Sequence, residues 1–120
     1  MAYVRFEIPE DLQNESLAVL EKVKETGKIK KGTNETTKAL ESGFTKMVYV
    51  AMDVEPPEIV AHIPYLCEEK NAPYVYVNSK ETLGISAGLQ VQCSAVAIVN
   101  EGEAKKDLDQ LVKKLEGLKK

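Results

Sequence analysis

The segment Lys28–Lys38 concentrates side chains that can bind a nucleic acid. Basic residues lead into Gly32, and polar residues then begin a helix that carries Asn34, Glu35 and Lys38. On a helix, Asn34 and Lys38 lie on one face, and Glu35 neighbours Lys38. An amide that donates and accepts, a carboxylate that accepts and an ammonium group that donates together suit the edges of nucleobases.

The start of this helix also suits phosphate. The first turn of a helix has unpaired backbone N–H groups and the positive end of the helix dipole, and both attract anions. The alternative is an ordinary capped helix that follows a strand, with its lysines in solvent. This segment alone does not decide between the two interpretations.

Composition limits the class of protein. The 120 residues, of which 43% are hydrophobic, are enough for one globular domain over residues 1–120 with a substantial core. The formal net charge is −3, whereas general nucleic-acid binders are usually basic. Segment 28–38 nevertheless carries +3 and residues 1–27 carry −3. A positive patch on an acidic protein favours a short, specific contact over sliding along a polyanion.

The expected location is the cytoplasm. No apolar run approaches the length of a membrane span, and Met1–Glu7 lacks the pattern of a signal peptide. Cys67 and Cys93 are far apart and belong to no Cys-x-x-Cys pair. Two buried free thiols fit a reducing compartment better than a disulfide or zinc framework. We therefore expect no cofactor, no metal and no membrane association.

Alternating helical and strand patterns predict an α/β fold, a three-layer α/β/α sandwich around a four-stranded mixed sheet. The third helix is expected to begin at Pro56 and Pro57, to be kinked by Pro64 and to bury Ile59, Val60, Ile63, Leu66 and Cys67. The predicted strands are Lys28–Lys31, Lys46–Met52, Tyr74–Val77 and Ala95–Val99. The other predicted helices run from Glu10 to Gly27, from about Asn34 to Ser42, over Lys80–Ala87 after the N-cap Ser79, and from about Glu103 to the C-terminus.

Few residues suggest catalysis. His62 is the only histidine and lies inside the apolar pattern of the third helix, so we interpret it as structural. Asp53 and Glu55 follow a buried strand, where active sites of α/β proteins are common. A small metal-dependent phosphoester enzyme that uses this pair is therefore one alternative, and a protein-interaction module is another. Tyr74 and Tyr76 share one face of their strand and are expected in the core rather than in a base-stacking platform.

Four segments of the chain, taken in order, resemble the L7Ae family of archaeal ribosomal proteins. They are Lys31–Lys38, Asp53–Ile59, His62–Tyr74 and Ser79–Gly84, and the resemblance covers nearly the whole chain. Members of that family bind kink-turns in RNA and are not enzymes. They belong to the large ribosomal subunit, to box C/D and box H/ACA guide RNA particles and to archaeal RNase P. The resemblance thus implies ribosomal and guide RNAs with kink-turns as partners, together with other proteins of these particles, and a chain that is monomeric alone.

The resemblance also implies roles for individual residues. Asn34, Glu35 and Lys38 would contact the tandem sheared G·A pairs of a kink-turn, and Lys31–Thr33 would lie against phosphate. A sheared pair leaves the Watson–Crick edge of guanine free, so its N1–H and N2–H₂ donors need an acceptor such as Glu35. The amide of Asn34 and the ammonium group of Lys38 can meet the acceptors O6 and N7.

Three further elements are implied to touch RNA. Glu55 and Ile59 would hold a flipped-out loop nucleotide, by hydrogen bonding and by apolar contact respectively. Lys80 matches another RNA-contacting lysine. The loop Gly88–Gln92 departs from some relatives, which carry an arginine or proline there, but its aliphatic side chains can still cover bases. The full set of implied RNA-binding residues is Lys31, Gly32, Thr33, Asn34, Glu35, Lys38, Glu55, Ile59, Lys80, Leu89, Gln90 and Val91.

Overall fold

Four strands form the centre of the molecule. The computed structural model describes Val4 and residues 6–118. Its strand order is β1-β4-β2-β3, with β3 parallel to β2 and with β4 antiparallel to both β1 and β2. The prediction of a four-stranded mixed sheet is therefore confirmed. The strands are β1 (Lys28–Lys31), β2 (Met47–Ala51), β3 (Tyr74–Val77) and β4 (Ala95–Asn100).

Helices cover both faces of this sheet. They are α1 (Glu10–Thr26), α2 (Thr33–Ser42), α3 (His62–Lys70), α4 (Lys80–Ser86) and α5 (Lys105–Leu118). The Tyr49 hydroxyl donates to the Ser16 carbonyl of α1, 2.6 Å away, whereas the Tyr74 hydroxyl donates to Glu68 of α3, also 2.6 Å away. Tyr74 pairs with Val48, whose side chain is on the opposite face from that of Tyr49. Helices α1 and α3 thus lie on opposite faces, which confirms the three-layer arrangement.

The core follows the predicted strands. Every residue of β2 and β3 is buried, including Val48, Val50, Val75 and Val77. Tyr74 and Tyr76 are in the core as predicted, with the Phe6 ring packed edge-on at 5.5 and 5.2 Å between centroids. Burial raises the pKa of the Tyr49 hydroxyl, so this group stays protonated and keeps its hydrogen bond to α1. Both cysteines are free and buried, as predicted.

The prediction for the third helix is wrong in four respects. The chain first forms a single 3₁₀ turn, Pro57–Ile59, and α3 begins only at His62. Pro64 therefore lies in the first turn of α3, where its missing N–H costs no hydrogen bond, and it does not kink a longer helix. Ile59 is 42% exposed rather than buried, because it ends the 3₁₀ turn before the helical face is established. His62 is exposed at the start of the helix and does not lie inside an apolar helix.

The central position of β2 predicts a sizeable effect of truncation on stability. Val50→Ala should lower the free energy of unfolding by about 2 kcal/mol, through lost apolar burial and the cavity that remains. Chemical denaturation followed by circular dichroism measures this change. The matched control is Val91→Ala, since Val91 is 69% exposed and its truncation should change stability by less than about 0.5 kcal/mol. Equal effects of the two substitutions would contradict the central placement of β2.

Candidate nucleic-acid interface

The N-terminus of α2 is built by Gly32. This residue has a φ of 97°, a conformation that favours glycine, and its N–H donates to the Ala95 carbonyl at the start of β4, 2.8 Å away. The Gly32 carbonyl accepts the first helical hydrogen bond from the Thr36 N–H. Glycine offers no side-chain oxygen, and no side chain caps this helix. The first-turn N–H groups, next to exposed Lys31, are therefore well placed to bind an anionic oxygen.

Asn34, Glu35 and Lys38 form one exposed surface on the first two turns of α2, which we call the base-reading face. The Lys38 ammonium lies 3.6 Å from a Glu35 carboxylate oxygen, and the two side chains are 74% and 48% exposed. An ion pair this exposed contributes little to stability and opens easily. Both groups are therefore available to another partner, as the sequence-based assignment of this face requires.

Cys93 brings the loop Gly88–Gln92 close to this helix terminus. The Cys93 thiol donates to the Ala95 carbonyl, 3.1 Å away, and the Cys93 N–H donates to the Lys80 carbonyl. Burial raises the pKa of the thiol, while hydrogen bonds from the Ala95 and Gly32 backbone and the charge of Lys31 act in the opposite direction. The loop therefore ends beside Lys31 and at the same time beside the start of α4.

Asp53 and Ser79 together organise the start of α4. The Asp53 carboxylate accepts a hydrogen bond from the Lys80 N–H, 2.8 Å away. The Ser79 hydroxyl accepts from the N–H groups of Glu81 and Thr82, so the predicted N-cap is confirmed. The protein thus satisfies the N-terminus of α4 with its own side chains, in contrast to that of α2. Asp53 is engaged in this structural bond rather than paired with Glu55.

Glu55 and Ile59 are both exposed on the segment that connects β2 to α3. This segment is joined to α2 through the contact between the Thr37 hydroxyl and the His62 Nε2 atom, which are 2.8 Å apart. The Thr37 hydroxyl also lies 2.8 Å from the Thr33 carbonyl in the first turn of α2. The side chains predicted to hold a nucleotide therefore lie on an element that is bonded to the helix of the base-reading face.

Four hydrogen bonds, joined by the stretches of chain between them, link the site segments into a closed circuit, which we call the hydrogen-bonded ring. It runs from α2 to β4, to α4, to the turn after β2, through the 3₁₀ turn to α3 and back to α2. Its members are the pairs Gly32–Ala95, Cys93–Lys80, Lys80–Asp53 and His62–Thr37.

In the loop Gly88–Gln92, Gln90 and Val91 are exposed and Leu89 is half-buried, so Val91 is more exposed than Leu89.

Comparison with known proteins identifies the family to which this chain is related. A profile of the Ribosomal protein L7Ae/L30e/S12e/Gadd45 family matches residues 14–108. The chain belongs to this family. A solved structure, the Giardia lamblia 15.5kD RNA binding protein, is 31% identical over 98% of this chain and 97% of its own, with a TM-score of 0.88. The fold expected from the sequence resemblance is thereby confirmed.

The described residues contain no group of three or more histidine, cysteine or acidic side chains that could bind a metal ion. None of the described helices has both the length and the hydropathy needed to cross a membrane.

Sequence reasoning missed the connecting residues of this L7Ae/L30e/S12e/Gadd45 family member. The sequence pattern does not distinguish Thr37, it places His62 inside an apolar helix, and it relates Asp53 only to Glu55. The bonds that they make join residues 25 and 27 positions apart. The one signal for Thr37 in the sequence is its position one helical turn after Thr33, on the same face of α2.

Proposed function

We propose that this protein binds RNA and recognises kink-turns that contain sheared G·A pairs. The observation that carries the proposal is the uncapped N-terminus of α2, where Lys31 and free N–H groups adjoin the exposed side chains of Asn34, Glu35 and Lys38. Donors for phosphate and groups for base edges lie next to each other at this point of the surface. The name of the Giardia protein, an RNA binding protein, supports the RNA-binding part of the proposal.

The base-reading face supplies the chemistry that a sheared G·A pair needs. The Glu35 carboxylate accepts from the guanine N1–H and N2–H₂ donors, while Asn34 and Lys38 donate to O6 and N7. To do so, the Glu35 side chain exchanges its exposed contact with Lys38 for the guanine edge. Because the pair is weak in water, this exchange costs little.

The remaining site residues extend the contact beyond the G·A pairs. Glu55 and Ile59 hold a flipped-out nucleotide, Glu55 through its carboxylate and Ile59 through its exposed aliphatic surface. Lys80 contributes a further cationic contact. The loop residues Leu89, Gln90 and Val91 cover bases beside the N-terminus of α2, since Cys93 places the end of the loop there.

We further propose a structural, non-catalytic role in ribonucleoprotein particles of the archaeal type. These are the large ribosomal subunit, box C/D and box H/ACA guide RNA particles and RNase P, in the cytoplasm. The RNA partners are ribosomal and guide RNAs with kink-turns, and other particle proteins bind the complex. A metal-dependent phosphoester enzyme is disfavoured because one Asp53 carboxylate oxygen is engaged by the Lys80 N–H, and because no third histidine, cysteine or acidic residue joins Asp53 and Glu55 among the described residues.

A binding titration tests the proposed function. Wild-type protein is titrated into a kink-turn RNA and into the same RNA with its G·A pairs replaced by Watson–Crick pairs, at several salt concentrations. We expect tight binding to the first RNA, weak binding to the second, and an affinity that falls as salt rises. Equal affinity for both RNAs would overturn kink-turn recognition. Mg²⁺-dependent cleavage of either RNA would instead support the enzyme.

Lys31 should contribute through phosphate alone. Lys31→Ala should weaken binding to both RNAs by the same factor and lower the slope of log affinity against log salt by about one unit, because phosphate contacts carry no sequence information. The matched control is Lys113→Ala, which removes the same charge from an exposed position on α5. If the control lowered the slope as much as Lys31→Ala, the lysine would act only through net charge.

A further inference from the structure

His62 is an exposed histidine whose imidazole contacts the Thr37 hydroxyl of α2. Its Nε2 atom lies 2.8 Å from the Thr37 hydroxyl oxygen, and this oxygen lies 2.8 Å from the Thr33 carbonyl oxygen. A carbonyl oxygen only accepts, so the single proton of the Thr37 hydroxyl points to Thr33. The hydroxyl must then accept from His62, which requires a hydrogen on Nε2. The chain of donors is therefore His62 to Thr37 to Thr33.

Backbone hydrogen bonds connect the segment around His62 to Ile59. Successive backbone hydrogen bonds run from Pro56 to Ile63, including those from the Ile59 N–H to the Pro56 carbonyl and from the Ile63 N–H to the Val60 carbonyl. Val60 and Ile63 are fully buried and anchor the segment in the core. A bond at His62 therefore acts on the same segment that carries the exposed Ile59 side chain.

His62 closes the hydrogen-bonded ring. Without it, the segment that carries Glu55 and Ile59 remains attached at Asp53 and through its buried residues, but it loses its polar link to α2. The acceptor at the end of this link is the first turn of α2, directly before Asn34. The link thus sets the position of the nucleotide-holding residues relative to the base-reading face.

We propose that His62 is a positioning residue that couples these two parts of the interface. Its hydrogen bond to Thr37 places Glu55 and Ile59 at the distance from α2 at which they can hold a flipped-out nucleotide. His62 acts through Thr37 and not by contact with RNA. The proposal rests on the proposed function, because the nucleotide is one that the kink-turn presents.

Matched variants at both ends of the bond test this role. His62→Ala and Thr37→Val each remove the bond, the second while it preserves the shape of the side chain. His62→Gln supplies an amide N–H close to the position of Nε2, and Thr37→Ser keeps the hydroxyl, so these two conservative variants should restore the bond. All four variants are first checked for folding by circular dichroism and chemical denaturation.

The probes are two kink-turn RNAs that differ in one base. One presents an intact flipped nucleotide, and the other is abasic at that position, so its backbone is unchanged. Wild-type protein should prefer the intact RNA. Loss of the bond should weaken binding to the intact RNA about fivefold and to the abasic RNA by less than about twofold. His62→Gln and Thr37→Ser should regain the preference, and the double variant with both bond-removing changes should lose no more than either single one.

Several results would overturn the proposal. An effect of His62→Ala without an effect of Thr37→Val would make His62 a direct RNA contact. Equal losses on both RNAs would indicate a general structural role, and so would a wild-type protein that does not prefer the intact base. If wild-type protein required G·A pairs but none of the four variants altered the preference, the proposed function would stand and the coupling would fail.

A measurement without RNA tests the bond separately. In ¹⁵N spectra of the imidazole of the free protein, His62 should show a protonated Nε2, and Thr37→Val should shift this signal while Thr37→Ser leaves it in place. An unprotonated Nε2, or a signal that does not respond to Thr37→Val, would overturn the proposal even if no RNA bound.

Discussion

Glu35→Ala should weaken binding to a kink-turn RNA by about 10- to 100-fold and hardly change binding to the same RNA with its G·A pairs replaced. The substitution leaves the guanine N1–H and N2–H₂ donors without an acceptor. A donor that loses its partner on binding costs about 1–3 kcal/mol. The RNA with its G·A pairs replaced is already bound weakly, and it never presents those donors to α2. The measurement is the ratio of the two dissociation constants at one salt concentration.

Two controls separate base reading from charge. Glu41→Ala removes a carboxylate from an exposed position near the end of the same helix, so it should leave the ratio unchanged. Glu35→Ala also releases Lys38 from its contact 3.6 Å away and makes the patch more positive. An electrostatic effect alone would therefore strengthen binding to both RNAs. An equal change for both RNAs, in either direction, would contradict base reading by α2, and equal strengthening would leave α2 as only an electrostatic clamp.

Much of the fold was predictable because its elements carry local signals. The apolar run that begins at Met47 is buried on both faces and forms β2. Leu108, Leu111 and Leu115, at helical spacing, form the buried face of α5. Such patterns depend on neighbours within one or two turns, so they can be read from the chain alone.

The prediction of one continuous third helix is wrong because the spacing of its apolar residues fits two structures. One is a continuous helix, and the other is a 3₁₀ turn followed by a separate helix. Val60 and Ile63 are three positions apart and both fully buried, as a continuous helix also requires. The choice depends on how these residues fit into the core, which is a tertiary effect. An exposed isoleucine at position 59 likewise conflicts with the local rule, which assigns isoleucine to the interior. Such conflicts are expected at binding surfaces.

The site was predictable in its parts but not in its connections. Gly32 before a polar helix start, and Ser79 before α4, are local signals that the structure bears out. The bonds from Asp53 to Lys80 and from His62 to Thr37 join segments that are distant in sequence. No spacing rule links such residues, because their proximity depends on the order of the strands in the sheet.

Gly84 is a position at which a single added methyl group should disturb the fold strongly. A Cβ atom added there would lie far inside van der Waals contact of the Val91 carbonyl oxygen and 3.3 Å from the Gln92 Cα atom. Both neighbours are backbone, so neither can turn away as a flexible side chain could. The Gly84 carbonyl also accepts the Leu89 N–H, 2.9 Å away, which holds the loop close to α4.

Gly84→Ala should therefore lower the free energy of unfolding by about 3 kcal/mol, since overpacking against backbone forces the loop Gly88–Gln92 outward. The matched control is Gly117→Ala on α5, where an added Cβ meets nothing within 4 Å. Alanine favours a helix more than glycine does, so this control should be neutral or slightly stabilising. Denaturation curves of both variants provide the measurement.

The same substitution also tests whether the loop belongs to the RNA interface. A displaced loop removes Val91 and Gln90 from the vicinity of Lys31, so Gly84→Ala should weaken binding to kink-turn RNA even under conditions in which the variant is fully folded. Gly117→Ala should bind as wild type. If Gly84→Ala were destabilised but bound RNA with unchanged affinity, the loop would lie outside the contact. If it were as stable as wild type, the close packing of α4 against the Val91 carbonyl would be wrong.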